Sequence, residues 1–96
     1  MTTLLNIKQV LQNNKPRLMN EYGLTDIAIF GSYGRGQQTA ESDVDIMVDF
    51  NRPIGVEFID LADELEMLLG VKVDLVSKKG VKPDYYKQIE AELMYV

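Results

Sequence analysis

Between residues 42 and 76 the hydrophobic pattern changes period twice, and nothing else in the chain narrows its fold as far. Ser42-Asp43-Val44-Asp45-Ile46-Met47-Val48-Asp49-Phe50 nearly alternates polar with apolar, the period of a strand. Val44, Ile46, Val48 and Phe50 then share one face, and Asp43, Asp45, Met47 and Asp49 the other. Over residues 56–69 the period becomes helical. Phe58, Leu61, Ala62, Leu65, Leu68 and Leu69 form one stripe, and Glu57, Asp60, Asp63, Glu64 and Glu66 mostly cover the other side. Gly70 fits a helix stop. Val71-Lys72-Val73-Asp74-Leu75-Val76 returns to strand period and puts Asp74 on a polar face with Lys72 and Val76. Strand, helix, strand in this order predicts a right-handed crossover joining parallel strands. The helix covers the apolar face, so the face with Asp43, Asp45 and Asp74 is expected to stay open.

Just upstream, Asp26-Ile27-Ala28-Ile29-Phe30 has the β-branched, apolar character of a buried strand, and Gly31 ends it. Ser32 adds a hydroxyl at the turn, and Gly34 and Gly36 flank Arg35. A short helix opening near residue 33 would point free N–H groups at the bend, and Arg35 would add a forked, permanently charged donor. Such a bend suits a phosphate. Taken alone, Gly31-Ser32 reads equally as a glycine-rich turn, and Asp-x-Asp as a half-exposed strand with solvated aspartates. The third carboxylate, Asp74, tips the reading. Like charges brought to one face repel, and a cation between them removes the repulsion. Oxygen-only ligands suit Mg2+ or Mn2+.

The ordered set Gly31-Ser32-x-x-Arg35-Gly36, Ser42-Asp43-x-Asp45-Ile46 and Asp74 resembles the pattern of minimal nucleotidyltransferase (MNT) domains of the DNA polymerase β-like superfamily. By motif the resemblance runs from about residue 26 to residue 76. It implies an α/β (α+β) fold with a small mixed sheet of three or four strands and helices on one face. It also implies that Asp43, Asp45 and Asp74 are catalytic and hold metal, two Mg2+ ions or Mn2+ in their place. Gly31, Ser32 and Arg35 would bind the nucleotide phosphates. Arg35 could neutralise the leaving group or brace the carboxylates, and Asp74 could complete a metal shell or take the nucleophile's proton. Closely similar domains are the antitoxins of HEPN/MNT pairs, which transfer AMP from ATP to a tyrosine of their HEPN ribonuclease toxin. The partners this implies are ATP and a HEPN-type toxin. The reading from another class is a non-catalytic antitoxin that neutralises the toxin by binding and occlusion.

Composition bounds these readings. Ninety-six residues are expected to form a single domain, residues 1–96. With neither cysteine nor histidine, disulfides, thiolate sites, the usual zinc ligands and a Ser-His-Asp triad are excluded. Lys and Arg number 10 against 15 Asp and Glu, a net charge of −5, so no direct nucleic-acid binding is expected. Lys78 and Lys79, which follow the Asp74 strand, read chiefly as a solvated loop and otherwise as neighbours of the site. No apolar run approaches the ~20 residues of a membrane span and no signal segment opens the chain, so a cytoplasmic protein without a membrane partner is expected.

The remaining segments read as scaffold and interface. Leu4, Ile7, Val10 and Leu11 give one face of an N-terminal helix; Pro16 is expected to begin a second helix that Gly23 stops. Residues 51–55 and 80–83 read as loops, and Asp84 as the cap of a last helix with Tyr86, Ile89 and Leu93 on its apolar side. Tyr85, Met94, Tyr95 and Val96 are expected to pack internally or to meet a partner, in an oligomer or a hetero-complex. Tyr33, inside the phosphate turn, is the tyrosine best placed for self-modification.

Overall fold

The computed structural model describes residues 3–39 and 41–96. The chain runs α1 (Leu4–Tyr22), β1 (Leu24–Phe30), α2 (Gly31–Gly34), β2 (Val44–Phe50), α3 (Glu57–Leu69), β3 (Val73–Ser77), α4 (Pro83–Ile89) and β4 (Met94–Tyr95). Single 3-10 turns precede α4 and follow it, at Lys78–Gly80 and Glu90–Glu92. The sheet has the order β3-β2-β1-β4. β2 and β3 pair in parallel, as the crossover through α3 requires, whereas β1 pairs antiparallel with both β2 and β4. The sheet is therefore mixed and four-stranded, as the resemblance implied.

Strand period divides the sheet as the sequence predicts. Ile27, Ile29, Val44, Ile46 and Val48 are buried on one face with Ile7, Leu11 and Leu18 of α1 and Leu61, Leu65 and Leu69 of α3. At the solvent edge, Tyr22 Oη donates to Glu64 Oε1 at 3.0 Å, and Arg17 pairs with the same carboxylate, clasping α1 to α3. The opposite face is not bare. Ile89 of α4 packs on Phe30 and Met47, flanked by Val76, Val81, Tyr86 and Leu93. Met47 shares the aspartates' face yet is buried, because α4 lies over that part of it.

Several boundaries differ from the sequence reading. Pro16 lies inside one continuous helix rather than opening a second. Proline frees the carbonyl of Gln12, but both residues are exposed, so water can satisfy it, and burial of Leu11 and Leu18 on either side holds the helix together. β3 begins at Val73 and not Val71, where the Val73 N–H donates to Glu66 Oε2 at 2.9 Å. Asp84 does not cap α4: Pro83 takes the first helical turn with its preset φ, and Asp84 follows within that turn. Met94–Tyr95, read as packing residues, form the edge strand β4. Gly23 and Gly70 end α1 and α3 in the left-handed conformation, as expected of both.

Candidate active site

The strand register brings the site together. On β2, Asp45 is the Cα partner of Phe30 on β1 and of Asp74 on β3. Its carboxyl thus stands between the glycine-rich turn, which begins one residue after Phe30, and the third aspartate. Asp43 lies just ahead of β2. Gly31, Ser32, Arg35, Asp43, Asp45 and Asp74 all line one cleft of about 570 Å3. That volume falls within the roughly 300–1,000 Å3 of small-molecule sites. All six residues singled out from the sequence therefore meet in one place.

Gly31 is dictated by two constraints at once. Its φ is +72°, and a Cβ there would stand 2.9 Å from Asp45 Cγ and overlap the carboxylate oxygen. No side chain is compatible with both. After it the chain makes one turn of helix, with Arg35 N–H donating to Gly31 O at 3.0 Å. That short helix is the one the sequence suggested, though it opens at Gly31 itself. Tyr33 points into the main core and is 3% exposed, so it is no accessible target for self-modification.

The electrostatics centre on Asp45. Burial, then the like charges of Asp74 and Asp43, then a hydrogen bond shared with Asp74, push its carboxyl up to about 6, against a smaller opposing pull from Arg35. Arg35 itself braces none of the three aspartates. Its Nη1 reaches Glu92 Oε2 at 3.1 Å and Oε1 at 3.3 Å, and its Nε donates to Gln37 Oε1 at 3.2 Å. Glu92 Oε1 also accepts the Gly31 N–H at 3.2 Å.

Among the described residues, no three acidic side chains already converge as a finished cation cage. The donor set nonetheless fits a hard divalent cation: three carboxylates line one cleft, and burial, then the like charges of Asp74 and Asp43, raise the carboxyl of the middle one, a burden that a bound cation would relieve.

The cleft also contains residues that the sequence reading left as scaffold: Tyr85, Gln88, Ile89 and Glu92. Their spacing, i, i+3, i+4, i+7, is a helical face, and two polar residues on it were the available signal. Lys78 and Lys79 do not line this cleft; Lys79 lines a separate groove with Asp49, Arg52 and Ile54, at the other end of β2.

A family model described as a nucleotidyltransferase domain matches residues 7–96. A protein adenylyltransferase, MntA, of Thermococcus cleftensis is 43% identical, over all of this chain and 98% of its own length. A Methanocaldococcus jannaschii protein, named as an inferred protein adenylyltransferase, is 48% identical over the full length of both. Among solved structures, a toxin–antitoxin crystal structure with AMP-PNP superposes with a TM-score of 0.73 at 28% identity, over 88% of this chain and 70% of the other. A complex of a tri-AMPylated Shewanella oneidensis HEPN toxin with its MNT antitoxin gives 0.62 at 25% identity, over 96% and 66%. No helix among the described residues is long and apolar enough to cross a membrane. With its mixed sheet, its Gly31-Ser32 turn and its ordered aspartates inside the matched region, this chain belongs to the nucleotidyltransferase family, as an MNT-type member.

Proposed function

We propose that this protein transfers AMP from ATP to a tyrosine of a HEPN ribonuclease toxin and acts as that toxin's antitoxin. The observation that carries the proposal is that Asp43, Asp45 and Asp74 line one cleft together with the Gly31-Ser32 turn. The likeness to an adenylyltransferase and to antitoxins seen with AMP-PNP and with an AMPylated HEPN toxin supplies the acceptor class. The working form on this reading is a cytoplasmic hetero-complex with the toxin, with no role for nucleic acid.

Asp43, Asp45 and Asp74 would hold divalent metal, two Mg2+ ions on this reading. Their chemistry, when bound, is to neutralise the triphosphate and the charge that develops on the entering and leaving oxygens. The chain's own groups do the rest. The Gly31 N–H and the Ser32 hydroxyl bind the β- and γ-phosphates, and Arg35 offsets charge on the departing pyrophosphate. The acceptor's phenolic oxygen attacks the α-phosphorus, the bond to the β-phosphate breaks, and Asp74 takes the phenolic proton.

The test is the intact mass of the HEPN partner after incubation with this chain, ATP and Mg2+, with Asp43→Asn as control. Mass added in steps of one AMP, and absent with the variant, is the expected result. No added mass, with a stable complex and protection of cells by Asp43→Asn undiminished, would overturn the enzymatic reading in favour of occlusion.

A further inference from the structure

Two of the three donors assigned to the phosphates are engaged within the chain itself. The Gly31 N–H and the Arg35 fork both converge on one side chain, Glu92, which lies 61 residues after Gly31 in the segment leading to β4. Its side chain is only 18% exposed, whereas that of Arg35 is 46% exposed. A carboxylate and a terminal phosphoryl group offer such donors the same thing, paired oxygens sharing negative charge. We propose that Glu92 is an internal competitor for the phosphate subsite. It holds the Gly31 N–H and the Arg35 guanidinium until a nucleoside triphosphate displaces it, and so it sets the affinity of the site. The inference rests on the phosphate-binding reading given above.

Charge explains why the two anions exchange rather than coexist. The cleft already holds Asp43, Asp45 and Asp74, and among the described residues Arg35 is the one cation on its lining. A triphosphate beside an undisplaced Glu92 would face a fourth carboxylate, outside the set that would hold metal, with the Arg35 charge already neutralised. Displacement frees the donors, and the measured affinity is the intrinsic one reduced by the fraction of molecules in which Glu92 has let go. Glu92 is thus a positioning residue that never touches the reacting atoms. A purely bracing role for it makes the opposite forecast, because a brace aligns Arg35 for the phosphate and its loss would weaken binding.

The sign of one substitution separates the two. Glu92→Gln keeps the shape and one acceptor oxygen but removes the charge. Calorimetric titration of the wild type and the variant with inorganic tripolyphosphate, and with ATP and Mg2+, is the experiment. The variant is expected to bind both probes about tenfold more tightly and to show a lower KM for ATP without a higher kcat, even though its ligand-free Tm falls. Equal or weaker binding overturns the competitor role. Failure of the wild type and the variant alike to bind either probe would instead sink the phosphate-site reading itself, and the inference with it. Should Glu92→Gln not fold, amide exchange on the wild type decides. Saturating tripolyphosphate is expected to speed exchange over residues 90–96, and unchanged or slower exchange there overturns displacement.

Discussion

The two faces of the sheet are built from the same strands and have opposite characters. On the face under α1 and α3, Ile27, Ile29, Val44, Ile46, Val48, Leu61 and Leu65 are at most 1% exposed and form one continuous core. On the other, Phe30, Met47 and Ile89 form a small buried cluster, of which Phe30 and Ile89 border a cleft lined by Asp43, Asp45, Asp74 and Glu92. Because neighbouring residues on a strand point to opposite faces, Val44 and Ile46 pack in the core while Asp45 between them lines the cleft to which the proposed function assigns the chemistry. Stability and reactivity are therefore separable one residue at a time. The cleft face also carries a cost, since burial and then the like charges of Asp74 and Asp43 raise its central carboxyl.

The sharpest way to break this division is Asp45→Asn. The transfer rate is expected to fall by about a thousandfold, roughly 4 kcal/mol of barrier, while the Tm of the metal-free protein stays level or rises. Single-turnover rates and thermal melts in chelator test both halves; a Tm lowered by several degrees would mean that Asp45 also supports the fold. Leu61→Ala, on the other face, should do the reverse. It is expected to cost about 2–5 kcal/mol of unfolding free energy, measured by urea titration, with the rate per folded molecule unchanged. Gly31→Ala joins the two faces and should affect both. Its positive φ costs about 1–3 kcal/mol for a side chain, and the added methyl displaces the Asp45 carboxylate. Full activity in that variant would show that Asp45 has room to move.

The same contrast explains what was legible in the sequence. Period assigned every residue of β2 to its correct face and put Asp45 and Asp74 on the same one; that they stand side by side is set by the strand register, which period does not give. Period does not say what covers a face: Met47 was grouped with the aspartates, and only the docking of α4 shows it buried. Helical spacing could place Glu92 on a face with Tyr85, Gln88 and Ile89, but not show what that face meets: its partners, Gly31 and Arg35, lie 61 and 57 residues away, and no local pattern encodes so distant a contact. A 3-10 turn at Glu90–Glu92 separates it from α4, and β4 is only two residues long, too short for any alternation to register. Pro16 misled because local propensity favours a helix start there, whereas burial of Leu11 and Leu18 on both sides overrides it.

The smallest expected effect is the most diagnostic of strain on the cleft face. Asp45 has its carboxyl raised from 3.8 to about 6 in the folded chain, first by burial and then by Asp74 and Asp43. Between those values the folded state keeps a proton that the unfolded state has lost. Its contribution to stability is therefore fully present below 3.8 and is lost as pH rises through about 6. Glu64 runs the other way: its hydrogen bond from Arg17 holds it below the usual carboxylate range, so its contribution is lost only at more acid pH. In chelator, Tm is thus expected to rise by a few degrees as pH falls from about 7.5 to about 5, and Asp45→Asn should flatten that slope. Cation binding needs the ionised carboxylate, so stabilisation by Mg2+ should carry the opposite sign and grow as pH rises through the same window. Melts of both proteins across that range, with and without Mg2+, test the two slopes together. A wild-type slope in chelator that matches the Asp45→Asn slope would mean that the like charges do not burden the metal-free fold, and the two faces would then differ in chemistry but not in strain.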